Sequence, residues 1–166
     1  PGRRYQELSK MGAEVSKLGS LINTTKPHSQ IAIVLSYETR WAMNAVLQND
    51  SMNAMTEVYA YHGALMAANF SVDAMDPREN LSAYHLVIAP RLYCVDEATV
   101  KNLRSFVENG GILCITPRSG VVDEYNKIFQ DPAPGPLSEM AGVEVDDYGA
   151  LNKAVRLHAL DKKIQK

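Results

Sequence analysis

The residues of this chain whose types could carry chemistry are two cysteines, Cys94 and Cys114, four histidines and two acidic pairs, Asp123-Glu124 and Asp146-Asp147. His28, His62, His85 and His158 stand singly, without the spacing of a Cys/His or H-x-x-x-H metal site, so no metal is expected. His62 falls on the apolar stripe of a helical segment, as a core or interface histidine would. Adjacent carboxylates point apart on a strand or a helix, so neither acidic pair reads as an acid–base dyad. The pair at 146–147 reads as solvated surface. Asp123-Glu124 belongs to the polar run Arg118-Ser119-Gly120-Val121-Val122-Asp123-Glu124-Tyr125-Asn126, directly after an apolar run, where functional loops concentrate. Arg118 is expected to pair there with Glu38 or Asp123, fixing one loop against another.

A nucleophile is the next chemistry to test. Class I glutamine amidotransferases place a Cys in a sharp turn immediately after a strand. Cys114 instead lies inside the apolar run Ile112–Ile115, where a cysteine is a small buried hydrophobe. The turn that follows holds Thr116-Pro117-Arg118, and a proline offers neither a nucleophile nor an oxyanion-hole amide. Cys94 follows Tyr93 in a loop and is expected to be the more exposed thiol, but no histidine stands at a recognisable spacing from it. Ser119 lacks the first glycine of a G-x-S-x-G elbow. A phosphate cradle needs glycines after the first strand, and the sequence there is Ser36-Tyr37-Glu38-Thr39-Arg40-Trp41. A flavin mononucleotide could use Ser36, Thr39 and a wall from Trp41, yet Glu38 sets a negative charge where its phosphate would lie. The plainer expectation is no cofactor, with Tyr37 and Trp41 on a packed or inter-subunit surface.

The elements that position these residues read from periodicity. Ile31–Leu35, Leu86–Ala89 and Ile112–Ile115 are apolar without alternation, as in strands covered on both faces. Val72–Asp76 alternates and reads as a half-exposed strand nearer an edge. Helical spacing links Met55, Val58, Tyr59, His62, Leu65 and Met66, with Asp50 or Ser51 as N-cap, and links Val100, Leu103 and Val107, with Asp96 as cap and Gly110 as the left-handed stop. The expected order is β31–35, α52–68, β70–75, β84–89, α97–109, β111–116, a parallel α/β sheet whose ligands would lie beyond the strands' carboxyl ends. Residues 76–83 are short for a crossover helix. Pro136 starts a short helix through Met140, Val143–Val145 reads as a short strand, and 150–159 as a strand or linker. An N-terminal stripe of Tyr5, Leu8, Met11, Val15, Leu18 and Ile22 makes a helix too short to stand alone, which must lean on its own domain or on a missing part of the chain.

Composition excludes several classes. The chain has 166 residues, 46% hydrophobic and 22% charged, with a net charge of −2, so a nucleic-acid or anionic-membrane partner is not expected. Two cysteines are too few for a disulfide scaffold. No apolar run reaches the roughly 18 residues of a membrane span, and no signal peptide is recognisable. A cytoplasmic location is the expectation, and the chain reads as a piece cut from a longer protein.

The N-terminal helix, the first strand with Glu38-Thr39-Arg40-Trp41-Ala42, Gly110-Gly111-Ile112-Leu113, the Arg118–Glu124 loop, and Pro134-Gly135-Pro136-Leu137 followed by Gly142-Val143 together resemble one family. It is the trimerisation domain of glycoside hydrolase family 42 β-galactosidases, and the resemblance covers roughly residues 3–150. It implies a three-layer α/β/α fold with a mainly parallel sheet, flavodoxin-like and class I glutamine amidotransferase-like, without amidotransferase chemistry. It further implies a preceding TIM barrel with two catalytic glutamates, a small β-domain afterwards, a homotrimer, and retaining hydrolysis of terminal β-galactosides by the whole enzyme. No glycosidase residue has a counterpart in this chain, so no catalytic residue is expected. The expected division is 1–27 as helix and connector from the barrel, 28–150 as the trimerisation domain and 151–166 as linker or start of a further domain. The residues expected at a ligand crevice or subunit interface are Tyr37, Glu38, Trp41, Arg118, Ser119, Asp123 and Glu124. A small-molecule or flavin-binding α/β domain is the alternative.

Overall fold

Short runs of β-branched and aliphatic residues bounded by Gly, Pro and polar residues build the centre of the molecule. In the computed structural model, which describes residues 2–26, 28–45 and 53–149, they form β1 (Ile31–Val34), β2 (Val72–Met75), β3 (Leu86–Ala89) and β4 (Ile112–Ile115). The helices are α1 (Arg3–Ile22), α2 (Tyr37–Ala45), α3 (Ala54–Ala67), α4 (Glu97–Glu108) and the short α5 (Ser138–Ala141), the last preceded by a 3-10 turn at Gly135–Leu137. The four strands are parallel in the order β2-β1-β3-β4, with Ile31 beside Val72 and Leu86, and Leu86 beside Ile112. The chain thus leaves β1 towards opposite sides of the sheet, a doubly wound arrangement.

Strand pleating sends alternate residues to opposite faces. Ala32, Val34, Val87 and Ala89 join Leu103 and Phe106 of α4, with Leu81 and Leu137, in one core. Ile33 and Ile88 meet Val58 of α3 in a second, with Cys114 partly buried against it. β1 is buried throughout, whereas the edge strand β2 is half-buried, as its alternation predicts. β4 departs from the reading of full cover. It is the other edge strand; Ile112 is 65% exposed and Cys114 only partly buried.

Caps set the helix limits. The Asp96 carboxylate accepts the amide of Thr99 at 2.7 Å and starts α4. Gly110, at φ +90°, ends it while its amide bonds to Val107 O. α3 is capped by Asn53, whose Oδ1 accepts the Met55 amide; the expected caps Asp50 and Ser51 lie outside the described residues, as does 150–159. α2 is an element that the sequence reading treated as loop. Residues 76–85 connect β2 to β3 through turns with no helix. Val143–Val145 forms a single bridge, Val145 to Ala133, rather than a strand. His62 is exposed, so the core half of its expectation does not hold. Among the described residues no helix is long and apolar enough to cross a membrane.

Candidate functional site at the carboxyl end of the sheet

The crevice where a doubly wound sheet binds ligands lies beyond the carboxyl ends of β1 and β3. Here the protein's own side chains fill it. Glu57 reaches over from α3 and forms an ion pair with the Arg91 guanidinium, just past β3. Its second oxygen accepts the Thr116 hydroxyl at 2.9 Å, and that hydroxyl oxygen accepts the Arg91 amide at 2.8 Å. One carboxylate therefore ties α3 to the ends of both β3 and β4, each of its oxygens accepting one hydrogen bond.

The loops around this plug are bonded to each other through backbone. Ser36 caps α2, its hydroxyl accepting the Thr39 amide at 3.0 Å. The Thr39 hydroxyl is buried; it accepts the Cys94 amide at 3.1 Å and donates to the Cys94 carbonyl at 3.3 Å. The loop after β3 then runs beside the loop after β4: Gly120 N–H donates to Leu92 O, Val121 N–H to Tyr93 O and Val95 N–H to Val122 O. This pairing corrects the exposure expected of Cys94. The thiol is 7% exposed, donates to the Asp123 carbonyl at 3.2 Å, and is pushed up to about 11 by burial, then by Glu38, Asp96, Glu124 and Asp123. It is a neutral structural group at neutral pH. Ser119 is also structural: its oxygen accepts the Leu92 amide at 3.1 Å and its hydroxyl donates to Thr116 O.

The turn after β4 is tight. Arg118 sits there at φ +73°, a left-handed backbone that few non-glycine residues adopt. Its guanidinium lies 5.7 Å from the centroid of the buried Tyr93 ring and 5.5 Å from that of Tyr148. Burial raises the Tyr148 phenol, an effect Arg118 opposes. Both carboxylates expected beside Arg118 make other hydrogen bonds. Glu38 bonds to Arg78 at 3.0 Å, and Asp123 Oδ1 accepts the amides of Tyr125 and Lys127. Arg78 also holds Asp76 at 2.8 Å, its hydrogen bonds keeping that carboxyl below the ordinary range, and lies 3.7 Å from Asp96.

Of the residues singled out in the sequence, the Glu38, Glu124 and Asp123 charges all add to the rise of the Cys94 thiol. Arg118 and Ser119 share the turn after β4. Tyr37 and Trp41 stand apart on the outer side of α2, 55% and 64% exposed, their rings 6.0 Å apart. Sequence reasoning missed Glu57, Arg91, Arg78, Tyr93 and Tyr148, and it raised Thr39 only as a flavin contact. Only Thr39 carried a local signal, three residues after a capping serine. Among the described residues no group of three or more His, Cys, Asp and Glu could hold a metal ion.

The two motifs of the last loops meet back to back. A Cβ on Gly120, at φ +63°, would lie 2.0 Å from Pro134 O, and one on Gly135 would lie 2.7 Å from Gly120 O. Residues 29–165 match a family model described as the β-galactosidase trimerisation domain. The chain belongs to that family. β-Galactosidase BgaB of a Geobacillus species is 35% identical over 147 residues, 88% of this chain and 22% of that protein. BgaA of Clostridium cellulovorans is 32% identical over 154 residues, 93% of this chain and 23% of that protein. The crystal structure of β-galactosidase from Bacillus circulans sp. alkalophilus superposes with a TM-score of 0.82 at 30% identity, covering 90% of this chain and 22% of that one. This trimerisation domain thus spans about a fifth of its relatives' length. Its three-layer α/β fold is the one the motifs implied.

Proposed function

We propose that this chain is the assembly module of a β-galactosidase, holding copies of the enzyme together as a homotrimer while a TIM barrel elsewhere in the longer protein hydrolyses terminal β-galactosides with retention. The observation that carries this reading is the match of residues 29–165 to the trimerisation domain family. The filled strand mouth supports it: Glu57, Arg91 and Thr116 occupy the ligand position, and the thiol and hydroxyl nearest to it are structural. In this reading 1–27 connects to the barrel, 28–150 is the assembly domain and 151–166 leads onward. Tyr37 and Trp41 meet a neighbouring subunit, while Glu38, Arg118, Ser119, Asp123 and Glu124 shape the loops behind them. Trp41→Ala in the full-length enzyme should lower the trimer fraction in light scattering or raise KM. Unchanged mass together with unchanged kinetics would remove the aromatic pair from the interface.

A further inference from the structure

We infer that residues 153–157 of this chain pair with the outer edge of β4 as a fifth, antiparallel strand. Among the described residues β4 ends the sheet and is bonded only to β3. Ile112 N–H donates to His85 O at 2.9 Å, towards β3. Backbone groups of successive strand residues alternate in direction. Ile112 and Cys114 therefore face β3, while the N–H and C=O groups of Leu113 and Ile115 point outward, as on any unpaired edge. The setting is apolar. Leu113 and Ile115 pack against the core beneath α4, and Ile112 on the other face is 65% exposed. Backbone polar groups held among apolar side chains need partners. An edge meant for water carries charge, proline or a bulge. β4 reads Ile-Leu-Cys-Ile and has neither charge nor proline, whereas the opposite edge strand, β2, holds Asp73.

The course of the chain selects the occupant. The Tyr148 ring lies 5.5 Å from the guanidinium of Arg118, a residue in the turn that follows β4, and the described residues end at Gly149. Residues 150–152 span up to about 10 Å, enough to turn from there onto the carboxyl end of β4. A strand that enters at that end runs antiparallel to β4. Doubly wound sheets often carry such an antiparallel strand at the edge of an otherwise parallel sheet. The family match runs from residue 29 to residue 165, so 153–157 belong to the same domain as the four strands.

The sequence of the segment suits the place. Lys153-Ala154-Val155-Arg156-Leu157 sets Val155 and Leu157 on one face of a strand and Ala154 and Arg156 on the other. On the Ile112 side, Val155 and Leu157 cover that exposed side chain. Lys153 and Arg156 give the new outer edge the charge that β4 lacks, which discourages a further strand. A second copy's β4 is the other occupant an open edge admits. Two like edges paired antiparallel make an isologous, two-fold contact, whereas the matched family is described as a trimerisation domain.

The test is amide hydrogen exchange of β4, followed by NMR in the whole chain. In the wild type the Leu113 and Ile115 amides should exchange roughly 100-fold or more slowly than in the unfolded chain, at every protein concentration. Cross-strand NOEs should join them to residues 153–157. Ala154→Pro with Val155→Pro removes donors on both sides of the segment, so whichever of the two faces β4 is blocked. That double variant should lose roughly tenfold or more of the protection at Leu113 and Ile115, while Ile112 and Cys114, bonded to β3, keep theirs. Lys163→Pro, outside the segment, should change none of the four. Open exchange at Leu113 and Ile115 in the wild type, protection that grows with concentration, NOEs to a different segment, or full protection in the double variant overturns the fifth strand. Each of these leaves the assembly reading standing. The NOEs come from the wild type, so they decide the question even where the double variant does not fold.

Discussion

Gly120 and Gly142 have nearly the same backbone, φ +63° and +65°, in very different surroundings. Alanine at either must hold a left-handed conformation, at about 1–2 kcal/mol. At Gly142 nothing lies within 4 Å of the new methyl, so that is the whole penalty. At Gly120 the methyl would stand 2.0 Å from Pro134 O and 2.9 Å from Pro134 C, which are backbone atoms and cannot rotate aside. An ordinary C···O contact is about 3.3 Å or more, so the 118–120 turn and the Pro134-Gly135 turn must part by more than about 1 Å. Forcing packed segments apart typically adds about 1–3 kcal/mol. Gly120→Ala is thus expected to destabilise by roughly 2–5 kcal/mol, or about 4–20 °C in Tm for a chain of this size, against roughly 2–8 °C for Gly142→Ala. Thermal melts of the two variants beside wild type measure the difference. Equal melting temperatures, within about 1 °C, would refute the argument that these loops are in backbone contact.

Two further outcomes follow from the loops around Cys94. Thr39→Val keeps the side-chain shape but strands the buried Cys94 amide and carbonyl, so denaturant melts should show a loss of about 1–3 kcal/mol; a loss under about 0.5 kcal/mol would mean that the hydroxyl does not bracket the loop. The Cys94 thiol, pushed up from 9.0 to about 11, gives a signed pH effect. Below about pH 8 the thiol is protonated in both folded and unfolded chains. As pH rises towards 11 the unfolded thiol ionises first, so stability falls by up to about 1.4 kcal/mol per pH unit. Cys94→Ala should lack this slope, and native Cys94 should react with iodoacetamide at pH 7.5 far more slowly than the unfolded chain. Parallel wild-type and variant stability curves, or rapid native labelling, would contradict the buried, neutral thiol.

β1 and β3 were legible because burial on both faces writes itself as continuous apolar runs, β2 showed its edge position through alternation, and β4 was found by an apolar run that hid its exposed edge. Asp96 and Gly110 were legible because caps act over three or four residues. α2 was hidden: only Thr39 and Ala42 of its nine residues are buried, too few to form a stripe, and its cap Ser36 looked like part of a polar loop. Cys94 was misread because its cover comes from residues 119–123, some 25 positions away in a loop with no periodic signal. Arg118 lies beside the Tyr93 and Tyr148 rings, and Glu38, one of its expected partners, is bonded to Arg78, a residue in the turn-built β2–β3 connection. Long-range polar pairing of this kind depends on which loops the sheet order brings together, and spacing along the chain does not encode it.

The Thr39–Cys94 bracket fixes more than a loop. It anchors the amino end of α2 to the sheet, so Tyr37 and Trp41 ride on a rigid mount rather than a swinging segment. A surface held ready in this way loses little conformational freedom on docking. Encounters there should resemble the meeting of two finished shapes, with the lifetime of the complex decided by how well they match.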